Sequence, residues 1–155
     1  VEVLGWSGVH VPRVKVLGIE ADAVVRVDPA AHDLRRAAGQ GPVLDHDVLS
    51  TWDWPEARDV RAPEVVRLVG MVCGGPSWRR ALGAAARLGA FCETAITVEE
   101  VTDECRLECA YFGVHLLVAG RLVQEGRRSR PPRRTLDRWV EESVYERLIT
   151  DGMLR

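Results

Sequence analysis

Residues 96–126 read ITVEEVTDECRLECAYFGVHLLVAGRLVQEG, and the fold turns on how the central run 108–119, ECAYFGVHLLVA, is taken. As a helix it follows a shorter one over Val98 to Cys105, entered at Thr97, with Glu100 three residues on to complete a capping box. Val98, Val101 and Cys105 then form the inner face of the first helix, Arg106-Leu107 makes the turn, and Gly120 ends the second. As a strand, the same run is rich in Tyr, Phe and Val with Gly113 inside it, which suits a buried extended segment equally well. Either way RLVQ, 121–124, reads as a strand.

Charge divides sharply around this stretch. From Glu93 to Glu108 six carboxylates (Glu93, Glu99, Glu100, Asp103, Glu104, Glu108) face Arg106 alone. From Arg121 to Arg134 six arginines (Arg121, Arg127, Arg128, Arg130, Arg133, Arg134) face Glu125 alone. The formal net charge of -2 conceals this asymmetry, which serves intramolecular pairing as well as a partner. Lysine occurs once, as Lys15, so nearly all positive charge sits on guanidinium groups, which pair bidentately with phosphate and carboxylate.

Taken as helices, the elements from 77 to 126 resemble the winged helix-turn-helix module of many bacterial regulators. Ser77 to Cys92 matches the preceding helix, Ile96-Thr97 the opening and Val98 to Cys105 the short helix. Arg106-Leu107 matches the turn, Glu108 to Ala119 the recognition helix and Gly120 to Val123 the strand after it. The resemblance implies transcription regulation through DNA, with Arg127, Arg128, Arg130, Arg133 and Arg134 as a wing that contacts phosphates. Arg79 and Arg80 would be helpers. The matched recognition helix has no Lys, Arg, Asn or Gln to reach base edges, so backbone contact is the DNA mode that remains. A winged helix that packs on a protein instead is the open alternative.

Outward from this region the chain is easier to read. VHVPRVKVLGI and DAVVRVD in the first 28 residues are strand-like, with Pro12 marking an edge or bulge and Gly18 with Glu20 to Asp22 serving the turn between them. Pro29 and Gly39 bracket a short helix, and GQGP, 39–42, is a loop. Trp52 and Trp54, two apart, share a face if extended and read as packing anchors. PEVVRLVGMV from Pro63 predicts a helix stopped by Gly74-Gly75-Pro76, and Ser77 caps another carrying Trp78, Leu82, Ala85 and Leu88. The last helix begins with Thr135 as its cap and turns Leu136, Trp139, Val140, Val144, Leu148 and Ile149 inward, ending at Asp151-Gly152.

The chemistry-bearing residues form no familiar catalytic signature. Cys92, Cys105, Cys109 and His115, spaced C-x12-C-x3-C-x5-H, are candidate soft metal ligands, with four core cysteines as the plainer reading. His32-Asp33 and His46-Asp47 lie too close in sequence for an HD phosphohydrolase and read as exposed polar positions. Gly74-Gly75-Pro76 lacks the following Lys-Ser or Lys-Thr of a P-loop.

At 155 residues and 46% hydrophobic the chain has enough apolar side chains for a core, which excludes general disorder. It has no apolar run of membrane-spanning length and needs no disulfide staples, so the expectation is reduced thiols, a cytoplasmic location and no membrane association. The expected fold is α+β: a small N-terminal sheet over 1–62, then a mostly helical 63–155 containing the winged-helix-like unit, the two parts either separate or merged in one domain. The expected function is a non-enzymatic, DNA-associated regulatory protein without a cofactor, with a homodimer also open. The alternatives are a protein–protein adaptor domain and a cysteine-based metal or thiol protein.

Overall fold

Six strands in sequential order, β1-β2-β3-β4-β5-β6, make one sheet in this mixed α+β chain, accompanied by five α-helices among the described residues. The computed structural model describes residues 2–57, 59–128 and 134–154.

β1 (Val9–Val16) and β2 (Ile19–Val27) pair antiparallel through a two-residue turn at Leu17 and Gly18, with φ of 50° and 78°. Two successive positive φ angles give the turn whose twist matches that of the flanking strands. The turn ends at Gly18, and Glu20 and Asp22 belong to β2. Pro12 falls where the register shifts between Val11 and Val14, and Arg13 takes φ 50° there. A bulge on an edge strand accommodates a residue with no N–H to give.

β3 (Val66–Cys73), β4 (Glu93–Val98) and β5 (His115–Val118) run parallel. Parallel neighbours need long crossovers. α3 (Trp78–Leu88) and α4 (Asp103–Phe112) supply them. β6 (Arg121–Gln124) turns back antiparallel to β5 through Ala119 and Gly120, at φ 47° and 77°.

Three expected helices are therefore corrected. The run from Pro63 forms β3, whose residues Val66, Gly70, Met71 and Cys73 are buried. Its valines read as a helix stripe, but a strand covered on both faces is also a near-continuous apolar run. The helix expected over Val98 to Cys105 is the end of β4 followed by the start of α4. Thr97 lies in β4, and the cap is Thr102, whose Oγ1 accepts the Cys105 N–H at 3.2 Å. Of the two readings of Glu108 to Ala119 each holds for part of the run: the helix stops at Phe112, because Gly113 takes the left-handed conformation (φ 69°) that closes a helix. His115 to Val118 then hydrogen-bond into the sheet as β5. Residues 96–126 thus run strand, helix, strand, strand, where the resemblance implied helix, turn, helix, strand.

The chain divides into two compact units, and neither follows the expected boundary at 62. One takes the described residues of Val1–Val25 and Leu68–Pro131, the other those of Arg26–Arg67 and Pro132–Arg155. In the first, α3 packs on β4 and α4, and α4 on β5. Ala81, Leu82, Ala85 and Leu88 form the buried face of α3, and Cys105 and Cys109 that of α4. A separate cluster gathers Leu4, Trp6, Val24, Ala95 and Leu117 with Val69, Val72 and Leu122 against it.

The second unit joins α1 (Pro29–Ala37), α2 (His46–Thr51) and α5 (Thr135–Thr150). Asp28 caps α1 by accepting the Ala31 N–H, with Pro29 and Gly39 placed as the sequence indicates. Leu49, Trp52 and Ala62 form its apolar core, with Val43 and Trp139 packed against it. Trp54 is 61% exposed, because a turn and not a strand follows Trp52.

Arg35 is completely buried in this unit. Its Nη1 and Nη2 donate to the two Glu142 oxygens at 2.7 and 2.9 Å, and its guanidinium stacks 4.9 Å from the Tyr145 ring centre. Glu142 also accepts the Val43 N–H at 2.8 Å. His32, expected on the exposed side of α1, is buried, with Nδ1 2.9 Å from the Tyr145 hydroxyl. Val140, Val144 and Leu148 of α5 face inward as expected, whereas Leu136 and Ile149 are exposed and Glu141, Glu142 and Tyr145 take the buried places. The cap of α5 lies one position before the expected Thr135, which is itself the first helical residue: Arg134 is the N-cap, its N–H donates to the Asp137 carboxylate, and the Thr135 hydroxyl bonds Asp53.

Candidate nucleic-acid interface

β6 is the last strand of the sheet, and an edge strand leaves part of its backbone unpaired. Arg121 opens it and is exposed. Beyond Gln124 the chain stays fastened to the start of β5. The Gly126 N–H donates to His115 Nδ1 at 3.0 Å, and the Arg127 N–H donates to the Gly113 carbonyl at 2.7 Å. A Cβ on residue 126 would stand 2.5 Å from both the Gly113 oxygen and the His115 nitrogen, so glycine is needed for this close approach. The backbone of Arg127 is thereby fixed while its side chain stays exposed. Arg128 is exposed too, with Glu125 at 3.8 Å as a loose ion pair.

Of the other arginines singled out from sequence, Arg134 is exposed at the head of α5 in the second unit, and Arg130 and Arg133 lie outside the described residues. Arg79 is engaged: it stacks 4.3 Å from the Trp78 ring centre and pairs with Glu104 at 2.6 Å. Arg80 is exposed on α3. Among the described residues, the ion pairs of the acidic stretch run from Glu104 to Arg79 and from Glu93 to His115, and none runs to Arg127 or Arg128.

Glu93 and His115 were not read together from sequence. The Glu93 Oε2 accepts the Trp6 indole N–H at 2.8 Å and stands 3.5 Å from His115 Nε2. His115 is 1% exposed, and its ring meets Trp6 edge to face. Because Nδ1 accepts the Gly126 N–H, the proton of the neutral ring sits on Nε2, toward Glu93. Burial lowers the His115 pKa, and Glu93 pulls it partly back. The cluster fastens the N-terminal segment, β4, β5 and the chain entering the arginine tract to one another.

The candidate metal ligands are not brought into one site. Cys105 and Cys109, one turn apart on α4, hydrogen-bond through their thiols, and His115 Nδ1 is taken by Gly126. No group of three or more potential ligands occurs among the described residues. All four cysteines are free and buried, and burial pushes the Cys73 thiol up to about 11 and the Cys109 thiol up to about 12. Thiols held protonated at neutral pH are poor nucleophiles. Of the two HD pairs, Asp33 is exposed beside the buried His32. Asp45 accepts the N–H groups of Asp47 and Val48 as the cap of α2.

A cleft of about 700 Å³ opens where β3, β4 and β5 end, lined by Gly75, Pro76, Trp78, Thr97, Glu99 and Glu100 among others. This end of a parallel sheet is where α/β proteins commonly seat ligands. Glu99 and Glu100 give the cleft the wrong sign for phosphate, which leaves the arginines after β6 as the polyanion candidate. No helix among the described residues is long and apolar enough to cross a membrane. Comparison with protein-family models, with curated proteins and with solved structures finds no match.

Proposed function

We propose that the chain is a non-enzymatic, DNA-associated regulatory module that holds the phosphate backbone through Arg127, Arg128, Arg130, Arg133 and Arg134. The observation that carries the reading is the state of the first two: both side chains are exposed, the backbone of Arg127 is fixed beside β5, and no carboxylate of the acidic stretch is spent on either among the described residues. Fixed cations lose less entropy on meeting phosphate than cations on a loose arm. Such contact gives affinity and orientation without reading sequence.

The test is fluorescence anisotropy of a short labelled duplex at low and moderate salt. Five phosphates neutralised would weaken binding roughly 500-fold between about 50 mM and about 200 mM salt. Replacing all five arginines by serine removes the binding. A wild-type chain that leaves the duplex free at the lower salt, or a five-serine variant that still binds, ends this reading. The adaptor reading is favoured by a different feature, the exposed Leu107, Tyr111 and Phe112 on α4.

A further inference from the structure

α4 has two apolar faces. Cys105 and Cys109 lie one turn apart on the face buried in the first unit. At 100° per residue, Leu107, Ala110 and Tyr111 project from the opposite side. There Leu107 is 72% and Tyr111 80% exposed, beside Asp103 and Glu104; Phe112, 51% exposed at the helix end on the side of the cysteines, meets the Tyr111 ring edge to face at 5.2 Å. A helix that covers a sheet normally turns polar residues outward; a second apolar stripe marks a surface that excludes water in a complex.

We propose that this stripe is occupied by α4 of a second copy of the chain, packed antiparallel about a two-fold axis near its middle. Charge complementarity chooses the occupant. The N-terminal end of α4 is acidic, with Glu99, Glu100 and Asp103 exposed. At its C-terminal end stand Arg127, whose backbone bonds Gly113, and Arg128. An antiparallel two-fold places each acidic end against the basic end of the other copy, and opposes the two helix dipoles favourably. Parallel packing would set like against like. Ala110 lies one turn from Leu107, so the small residue of one helix receives the large residue of the other near the axis. Phosphate and the acidic end of the other copy compete for Arg127 and Arg128, so the contact is measured without DNA.

Sedimentation equilibrium from micromolar to about 1 mM protein, at about 0.05 M and about 0.5 M salt, tests it. The expected result is a reversible dimer, weakened at high salt. Ala110→Arg, and separately Leu107→Ser with Tyr111→Ser, give monomers whose thermal unfolding matches the wild type at monomeric concentrations. Arg127→Glu with Arg128→Glu weakens the dimer at least about tenfold, and mixing that variant with Glu99→Arg/Glu100→Arg/Asp103→Arg restores association as a heterodimer. A chain monomeric throughout overturns the proposal, as does a dimer that Ala110→Arg leaves intact or a charge-reversed pair that fails to associate. If the stripe is covered by the chain's own arginine tract, the wild type is monomeric and the proposal fails.

Discussion

The two Arg35 nitrogens that meet both Glu142 oxygens leave water for one carboxylate, so the pair is far more sensitive to losing a member than to losing both. Glu142→Gln should cost about 3–5 kcal/mol by urea unfolding. Arg35→Met with Glu142→Leu should recover part of that, since two apolar residues strand no charge but leave the Val43 N–H and the Gly41 carbonyl without their partners. His115 acts through pH. Its folded pKa lies below its ordinary value, so its stabilising contribution is full above about pH 6.5 and declines as pH falls through that value toward the folded pKa. Urea unfolding at pH 7.5 and 5.5 should show this loss, and His115→Gln should flatten it; an unchanged slope in the variant would assign the effect to other groups. None of these partners was legible in the sequence. Arg35 and Glu142 stand 107 positions apart, and Trp6 and Glu93 stand 87 apart, with no local pattern linking them. A buried charge looks like any exposed arginine until its partner is in place.

At the scale of elements, legibility followed local chemistry. The bulge at Pro12, the bracket of Pro29 and Gly39, and the stripes of α3 and much of α5 depend on residues within a few positions, and they were readable. β3 was read as a helix and the run holding β5 stayed open between helix and strand, because buried parallel strands lose the alternation that separates the two. For β5 the decisive signal was Gly113, counted from sequence toward a buried strand over the whole run although it ends a helix. The hairpin turns show where local preference yields to topology. Leu17 and Ala119 occupy positive-φ positions that suit asparagine or glycine better. Leu17→Asn should stabilise by about 0.5–1 kcal/mol, visible as a raised melting temperature; a fall would mean that the Leu17 side chain has a packing role its 42% exposure does not suggest. Thiol labelling tests α4: Cys105 and Cys109 should react with an aromatic disulfide only at the rate of unfolding, and rapid native labelling would contradict their burial.

For the whole molecule, the sequence offered either a cut near residue 62 or one merged domain, and the cut assigns Arg35 and Glu142 to different parts. The compact units instead exchange chain three times, after residues 25, 67 and 131. Fragment 1–62 should therefore show no cooperative melt by circular dichroism, since it holds Arg35 without Glu142; a cooperative transition in that fragment alone would reinstate the cut. Interleaving also bears on how a ribosome must make this protein. Arg35 leaves the exit tunnel 107 residues ahead of Glu142, which at about 5–20 residues per second is a wait of roughly 5–20 s. Through that interval the nascent chain carries an arginine destined for the interior and no carboxylate to receive it. The second unit can close only when the last helix arrives, so synthesis itself sets the order in which the two units mature.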